Sequence, residues 1–247
     1  MQKYYIPHEL KAGDITHLAD NDSKIAIADN IKVEDIVEIE TYSHIFSAIV
    51  TDISKNSVEV EILEKKSDRK GSTNKNTGGI SLIQSILNHK KFTFLLEKSV
   101  ELGINAIYPL HSELSLTTPK EFNKNRGLYN KVISDACEQS RNPYPTILKD
   151  LTSIDELKNL GGDGDIKLCL ATEDPKAKNL KEIILSKDIK GRNIYIAIGP
   201  ESGWSLEDIK TLKQANFEFV KLKGNILRTE TTGIVVGSII QFVRGNI

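Results

Sequence analysis

The chain has 247 residues, 39% apolar and 27% charged, with a net charge of −1. That composition fits a folded soluble protein of one large or two smaller domains, and no run reaches the roughly 18 apolar residues that would span a bilayer. The even charge balance excludes a globally basic nucleic-acid binder, so any RNA contact must come from local patches. The opening residues, Met1 to Pro7, contain no apolar run of signal-peptide type, and the expected location is therefore cytoplasmic.

Residues 1 to about 68 read as β structure. Ile25-Ala26-Ile27-Ala28 is a short apolar run. Ile36 to Ile39 and Ile45 to Ile53 follow, and Ser57 to Leu63 alternates with period two. Short strands separated by polar turns predict a small barrel. Lys65 to Gly79 is polar, basic and glycine-containing, which predicts a linker near residue 70. Lys65, Lys66, Arg69, Lys70 and Lys75 form one basic patch and Lys120, Lys124, Arg126 and Lys131 a second, with ordinary solvated loops as the alternative for each.

From there the pattern alternates between helix and strand. Phe92 to Leu102 predicts a helix with Gly103 as its stop signal. Ile104 to Leu110 predicts a strand, and Leu128 to Ser140 a helix that buries Cys137. Lys167 to Ala171 and Asn193 to Ile198 predict buried strands. Such alternation implies an α/β domain with a mainly parallel sheet, here over residues 71–247. Cys137 and Cys169 match no zinc spacing, and the five histidines are scattered, so no catalytic metal is expected.

Two segments carry chemistry. Asn193 to Ile198 runs directly into Gly199-Pro200-Glu201-Ser202-Gly203-Trp204-Ser205. Strand ends of this kind are where open α/β sheets hold ligands, and glycine permits close backbone approach. Ser205 with Asp208 has the spacing of a capping box, which predicts a helix start. The second segment is Leu222-Lys223-Gly224-Asn225-Ile226-Leu227-Arg228-Thr229-Glu230-Thr231-Thr232, in which a permanently charged Arg228 stands two residues from Glu230. A surface ion pair beside a helix start is the alternative to a functional role.

Together these segments resemble the SPOUT class of methyltransferases, and within it the family that makes N3-methyluridine in 16S ribosomal RNA. Three further segments extend the likeness. Glu97 to Ile104 resembles the family's EKATELGV helix, and His111-Ser112-Glu113 follows at the family's spacing. Ala136 to Arg141 resembles AAEQSGR, and Leu170-Ala171-Thr172-Glu173 matches a strand-end motif. Two family arginines are replaced, one by Asn30 and one by Leu114, and Leu222-Lys223-Gly224 stands where Leu-Gly-x is usual.

The resemblance implies a PUA-like β-barrel over residues 1–70 and a SPOUT domain with a C-terminal trefoil knot over 71–247. It also implies a homodimer, S-adenosylmethionine as cofactor, and 16S rRNA or the assembled small subunit as substrate. By the same resemblance, Leu170, Ile198, Gly199, Pro200, Glu201, Leu222, Gly224, Asn225, Ile226 and Leu227 hold the cofactor. Arg228 stabilises charge on the uracil carbonyls. Glu201 and Glu230 take the proton or orient Arg228, and Lys65, Lys66, Arg69, Lys70 and Arg141 meet RNA. A SPOUT enzyme with another RNA target and a non-catalytic RNA-binding relative are the alternatives. Gly233 and Gly237 lie four apart and so share a helix face. Their cost within a helix, roughly 1 kcal/mol each relative to Ala, implies close approach of another backbone. That backbone is the domain's own sheet or, favoured by the family's dimerisation, a second subunit; the β-branched run Ile234-Val235-Val236 also leaves a strand open.

Overall fold

The computed structural model describes residues 2–6, 9–41, 44–68, 78–142, 144–171 and 174–247. The chain divides into two units: residues 1–75 with 137–144, and residues 76–136 with 145–247.

The first unit is built on strands β1 (Lys3–Tyr5), β2 (Ile15–His17), β3 (Ile36–Glu40), β4 (His44–Ile53) and β5 (Val58–Asp68), in the order β1-β3-β4-β5-β2. Only the β1–β3 pairing is parallel. The inward row of the alternating strands, Val37, Ile39, Phe46, Ala48, Val50, Val58, Val60 and Ile62, forms the core of this unit. The apolar run at Ile25 to Ala28 is not a strand. It ends helix α1 (Asp20–Ala28). Ser23 and Ala26 are fully buried while Ile25 is 48% exposed, a spacing of three and not two. Asp20 and Asp22 in the first turn suit the positive end of the helix dipole. Lys65 and Lys66 are part of β5, so the strand runs past the expected start of the linker.

The second unit contains β6 (Ile80–Ser85), α2 (His89–Glu101), β7 (Ala106–His111), α3 (Pro119–Lys124), α4 (Arg126–Ser140), β8 (Ile147–Leu148), β9 (Thr152–Ser153) and β10 (Ile166–Leu170). It continues with β11 (Lys178–Asn179), α5 (Leu180–Ser186), β12 (Ile194–Ile198), α6 (Leu206–Gln214), β13 (Glu218–Lys221) and α7 (Thr229–Arg244). The end of α4 falls in the first unit.

The sheet order is β11-β13-β10-β12-β6-β7-β8, with β9 also on β7, and every pairing is parallel. The helices at Phe92 to Leu102 and Leu128 to Ser140 form as expected, and Gly103 leaves α2 with φ 67°. Cys137 and Cys169 are both buried, and burial pushes the Cys169 thiol well above its ordinary range.

Parallel strands place all their carboxyl ends on one edge of the sheet. The segments that follow β6, β10, β12 and β13 therefore meet there. Helix α7 then packs on α2, β6 and β12. Gly233 and Gly237 face inward. A Cβ at Gly233 would come within 2.8 Å of Ile198 Cδ1, and one at Gly237 within 2.9 Å of Ile104 Cδ1. The favoured reading of these glycines as a subunit contact is thus wrong. They let α7 lie close on its own unit, and this close packing offsets their helix cost.

Candidate active site

Strand β12 pairs Ile198 with Leu170 on one side and with Gln84 on the other. The chain then turns through Gly199 and buried Pro200 to exposed Glu201. Ser205 and Asp208 close the expected capping box at the start of α6. Trp204 folds back over the turn. A Cβ on Gly199 would sit 3.0 Å from the indole, and the indole Nε1 donates to Leu170 O at 2.9 Å. A side chain at 199 would thus press first on Trp204.

Thr229, the first residue of α7, donates its hydroxyl to Gly199 O at 2.6 Å. Gln84 Nε2 donates to Thr229 Oγ1 at 3.2 Å and to Ser85 O at 3.1 Å. This chain ties β6, the Gly199 turn and α7 together. Gln84 is fully buried, and its Oε1 has no partner. Sequence reading missed it. The available signal was one large amide inside the apolar strand Ile80-Ser81-Leu82-Ile83-Gln84-Ser85.

Between β13 and α7, Leu222 to Leu227 form an open loop. Gly224 adopts φ 127°, which only glycine takes without strain, and Ile226 is 80% exposed. Among the described residues the backbone N–H groups of 222–227 donate to no protein acceptor. Free donors and acceptors beside the Gly199 turn fit the polar edges of a nucleoside and an amino acid. Leu170, Ile198, Gly199 and Pro200 come to the same sheet edge, Leu170, Ile198 and Pro200 buried and Gly199 partly so.

The charged residues separate. Arg228 is exposed at the N-cap of α7, and its carbonyl accepts from Thr231 N and Thr232 N. Glu230 is 6% exposed in the first turn, with Oε2 unpartnered. Arg228 and Glu230 form no ion pair with each other among the described residues. Glu201 pairs with Lys91 of α2. Neither carboxylate is seen orienting Arg228. Beside the Pro200 turn lies a cleft of about 510 Å³, lined also by the start of α2 and by α3 and α4. Arg126 of the second basic patch is committed to structure: it pairs with Asp150 at 3.0 Å and donates to the carbonyls of Leu148 and Lys149. In the first unit Lys65 and Lys66 are exposed on β5, and exposed Arg141 follows α4 with φ 51°. Arg69, Lys70 and Lys75 lie outside the described residues. No group of metal-ligating side chains occurs among the described residues.

Residues 73–241 match the family model for the RNA methyltransferase domain. The chain belongs to the RNA methyltransferase family. Relatives within the family carry the name ribosomal RNA small subunit methyltransferase E. The protein of that name from Buchnera aphidicola (Acyrthosiphon pisum) is 29% identical over 99% of this chain and 94% of its own. The one from Mesomycoplasma hyopneumoniae is 31% identical over 72% of this chain and 74% of its own. Among solved structures, the Neisseria gonorrhoeae protein of the same name, bound to S-adenosyl methionine, is 26% identical. It covers 98% of both chains with a TM-score of 0.75. The fold of this chain is thus similar to that of this solved structure along nearly its whole length, with the methyltransferase domain matched over residues 73–241.

Proposed function

We propose that the chain transfers the methyl group of S-adenosylmethionine to N3 of a uridine in 16S rRNA of the small ribosomal subunit. The observation that carries this reading is the convergence of the Gly199 turn and the unpaired 222–227 loop at one sheet edge, tied by Thr229 to Gly199 at 2.6 Å. Family membership and the cofactor in the Neisseria relative support it.

When bound, the cofactor supplies an electrophilic methyl on a sulfonium. The chain's task is to orient the two reactants, exclude water and handle the N3 proton; orientation alone is worth several kcal/mol. Leu170, Ile198, Gly199, Pro200, Leu222, Gly224, Asn225, Ile226 and Leu227 hold the cofactor by backbone groups and apolar contact. Arg228, exposed and permanently charged, stabilises negative charge on the uracil carbonyls. Glu201, which lines the cleft, takes the N3 proton. Glu230 stays buried in the first turn of α7.

The finer architecture belongs to the same proposal. The first unit is a PUA-like barrel that meets RNA through Lys65, Lys66, Arg69, Lys70 and Arg141. The strand order, with β12 laid between β10 and β6 and α7 returning over both β6 and β12, supports a trefoil knot at the carboxyl end. A homodimer is supported by Val235, Ile239 and Phe242, which lie on the side of α7 opposite Gly233; Phe242 is 71% exposed. An rRNA substrate places the reaction in the cytoplasm. The test is to incubate purified chain with S-adenosylmethionine and small subunits from a strain lacking the modification, and to map nucleosides by mass. N3-methyluridine in 16S rRNA is expected. Methyl on a ribose, on tRNA, or on no RNA would sink the proposal.

A further inference from the structure

The cleft beside the Pro200 turn is distinct from the cofactor loops. Of the residues proposed above to hold the cofactor, only Pro200 lines it, beside the proposed base Glu201. Its volume of about 510 Å³ is in the range of small-ligand sites. Ile86 and Leu87, both nearly inaccessible, give it an apolar floor with Pro200. One wall is His89, whose ring is held in place. It stacks on Tyr129 with centroids 6.0 Å apart and planes at 28°, and its Nδ1 lies 3.4 Å from Thr93 Oγ1. Tyr129 is itself fixed against Phe92 and Phe122. Asn88 spends its carbonyl oxygen on Lys91 N, which leaves its amide donors for a ligand. Lys124 stands at the rim and forms no ion pair among the described residues.

A rigid aromatic face, an apolar floor, amide donors and a cation at the mouth match the face, the edge and the phosphate of a nucleotide. We propose that this cleft receives the target nucleotide of the RNA, taken out of its stack. The base lies against His89 over the floor of Ile86, Leu87 and Pro200. Asn88 donates to its carbonyl edge, and the phosphate points to Lys124. Glu201 forms the shared wall with the cofactor turn. An enzyme acting on a base atom must expose that base, and a preformed pocket offsets the cost of unstacking. This assignment rests on the methyltransferase reading.

The test uses the full chain with Thr117→Trp, which fills the cleft, and with His89→Ala and His89→Phe. Affinity for S-adenosylmethionine is measured by calorimetry, and binding and methylation are measured on small subunits. Thr117→Trp should lower kcat/KM for subunits at least tenfold while leaving cofactor affinity within twofold. His89→Ala should lower it at least fivefold, and His89→Phe, which keeps a stacking face, should recover most of that loss. Folded variants with parental kcat/KM overturn the assignment. So does a matching loss of cofactor affinity, which would make the cleft part of the cofactor site. Failure of the methyltransferase reading shows separately, as a parent chain that transfers no methyl. Subunit binding then decides: weaker binding by Thr117→Trp keeps the cleft, and equal binding overturns it.

Discussion

Thr229 Oγ1 donates to the carbonyl oxygen of Gly199 at 2.6 Å, so the first residue of α7 is fastened to the turn after β12. A hydroxyl has one proton to give, so its 3.2 Å contact with Gln84 Nε2 has the amide as donor. That fixes the orientation of a fully buried side chain. Thr229→Val keeps the shape and removes both bonds. Each stranded group costs about 1–3 kcal/mol. The melting temperature should fall, and affinity for S-adenosylmethionine should drop about tenfold, equivalent to about 1.4 kcal/mol. Thr229→Ser should restore both. Parental stability and affinity in the valine variant would make the tie incidental.

The inward glycines of α7 alter what a bulky side chain should do. At Gly237 it meets Ile104, and at Gly233 it meets Ile198 and Leu82. Gly237→Leu should destabilise the fold by about 1–3 kcal/mol through overpacking, read from urea unfolding, without changing the association state. Phe242→Asp, on the opposite side, is the substitution that should separate subunits in sedimentation. A monomeric, fully stable Gly237→Leu would return the glycines to an interface.

Trp204 is the chain's single tryptophan, and it covers the Gly199 turn. Adding S-adenosylmethionine should therefore change its fluorescence with a saturable profile. Gly199→Val should displace the indole, shift its emission to the red without ligand, and weaken cofactor binding at least tenfold, about 1.4 kcal/mol. Cofactor binding that leaves the emission untouched would place the ligand away from this turn.

Arg228 is exposed and unpaired among the described residues, which separates its chemistry from stability. Arg228→Ala should shift unfolding free energy by no more than about 0.5 kcal/mol. It should lower the methyl-transfer rate about a hundredfold, the scale of losing one charge-stabilising donor, with little effect on cofactor affinity. Near-parental turnover would remove Arg228 from the chemistry.

The sequence alone determined what depends on near neighbours. The period-two run expected from Ser57 to Leu63 entered β5 from Val58 on, the Ser205 and Asp208 pair closed its capping box, and Gly103 ended α2. The order of short motifs was enough for family likeness. Tertiary structure decided the rest, because it depends on which distant segments share an edge. Ile25 to Ala28 became helical because Ser23 and Ala26 had to face one core. Placement of β12 between β10 and β6 brought Gln84 to Thr229 across 145 positions and Lys91 to Glu201 across 110. The same placement turned Gly233 toward Ile198 and not toward a second subunit. A residue's spacing along a helix states which neighbours share its face. Which way that face points is settled only by where its unit can bury apolar surface.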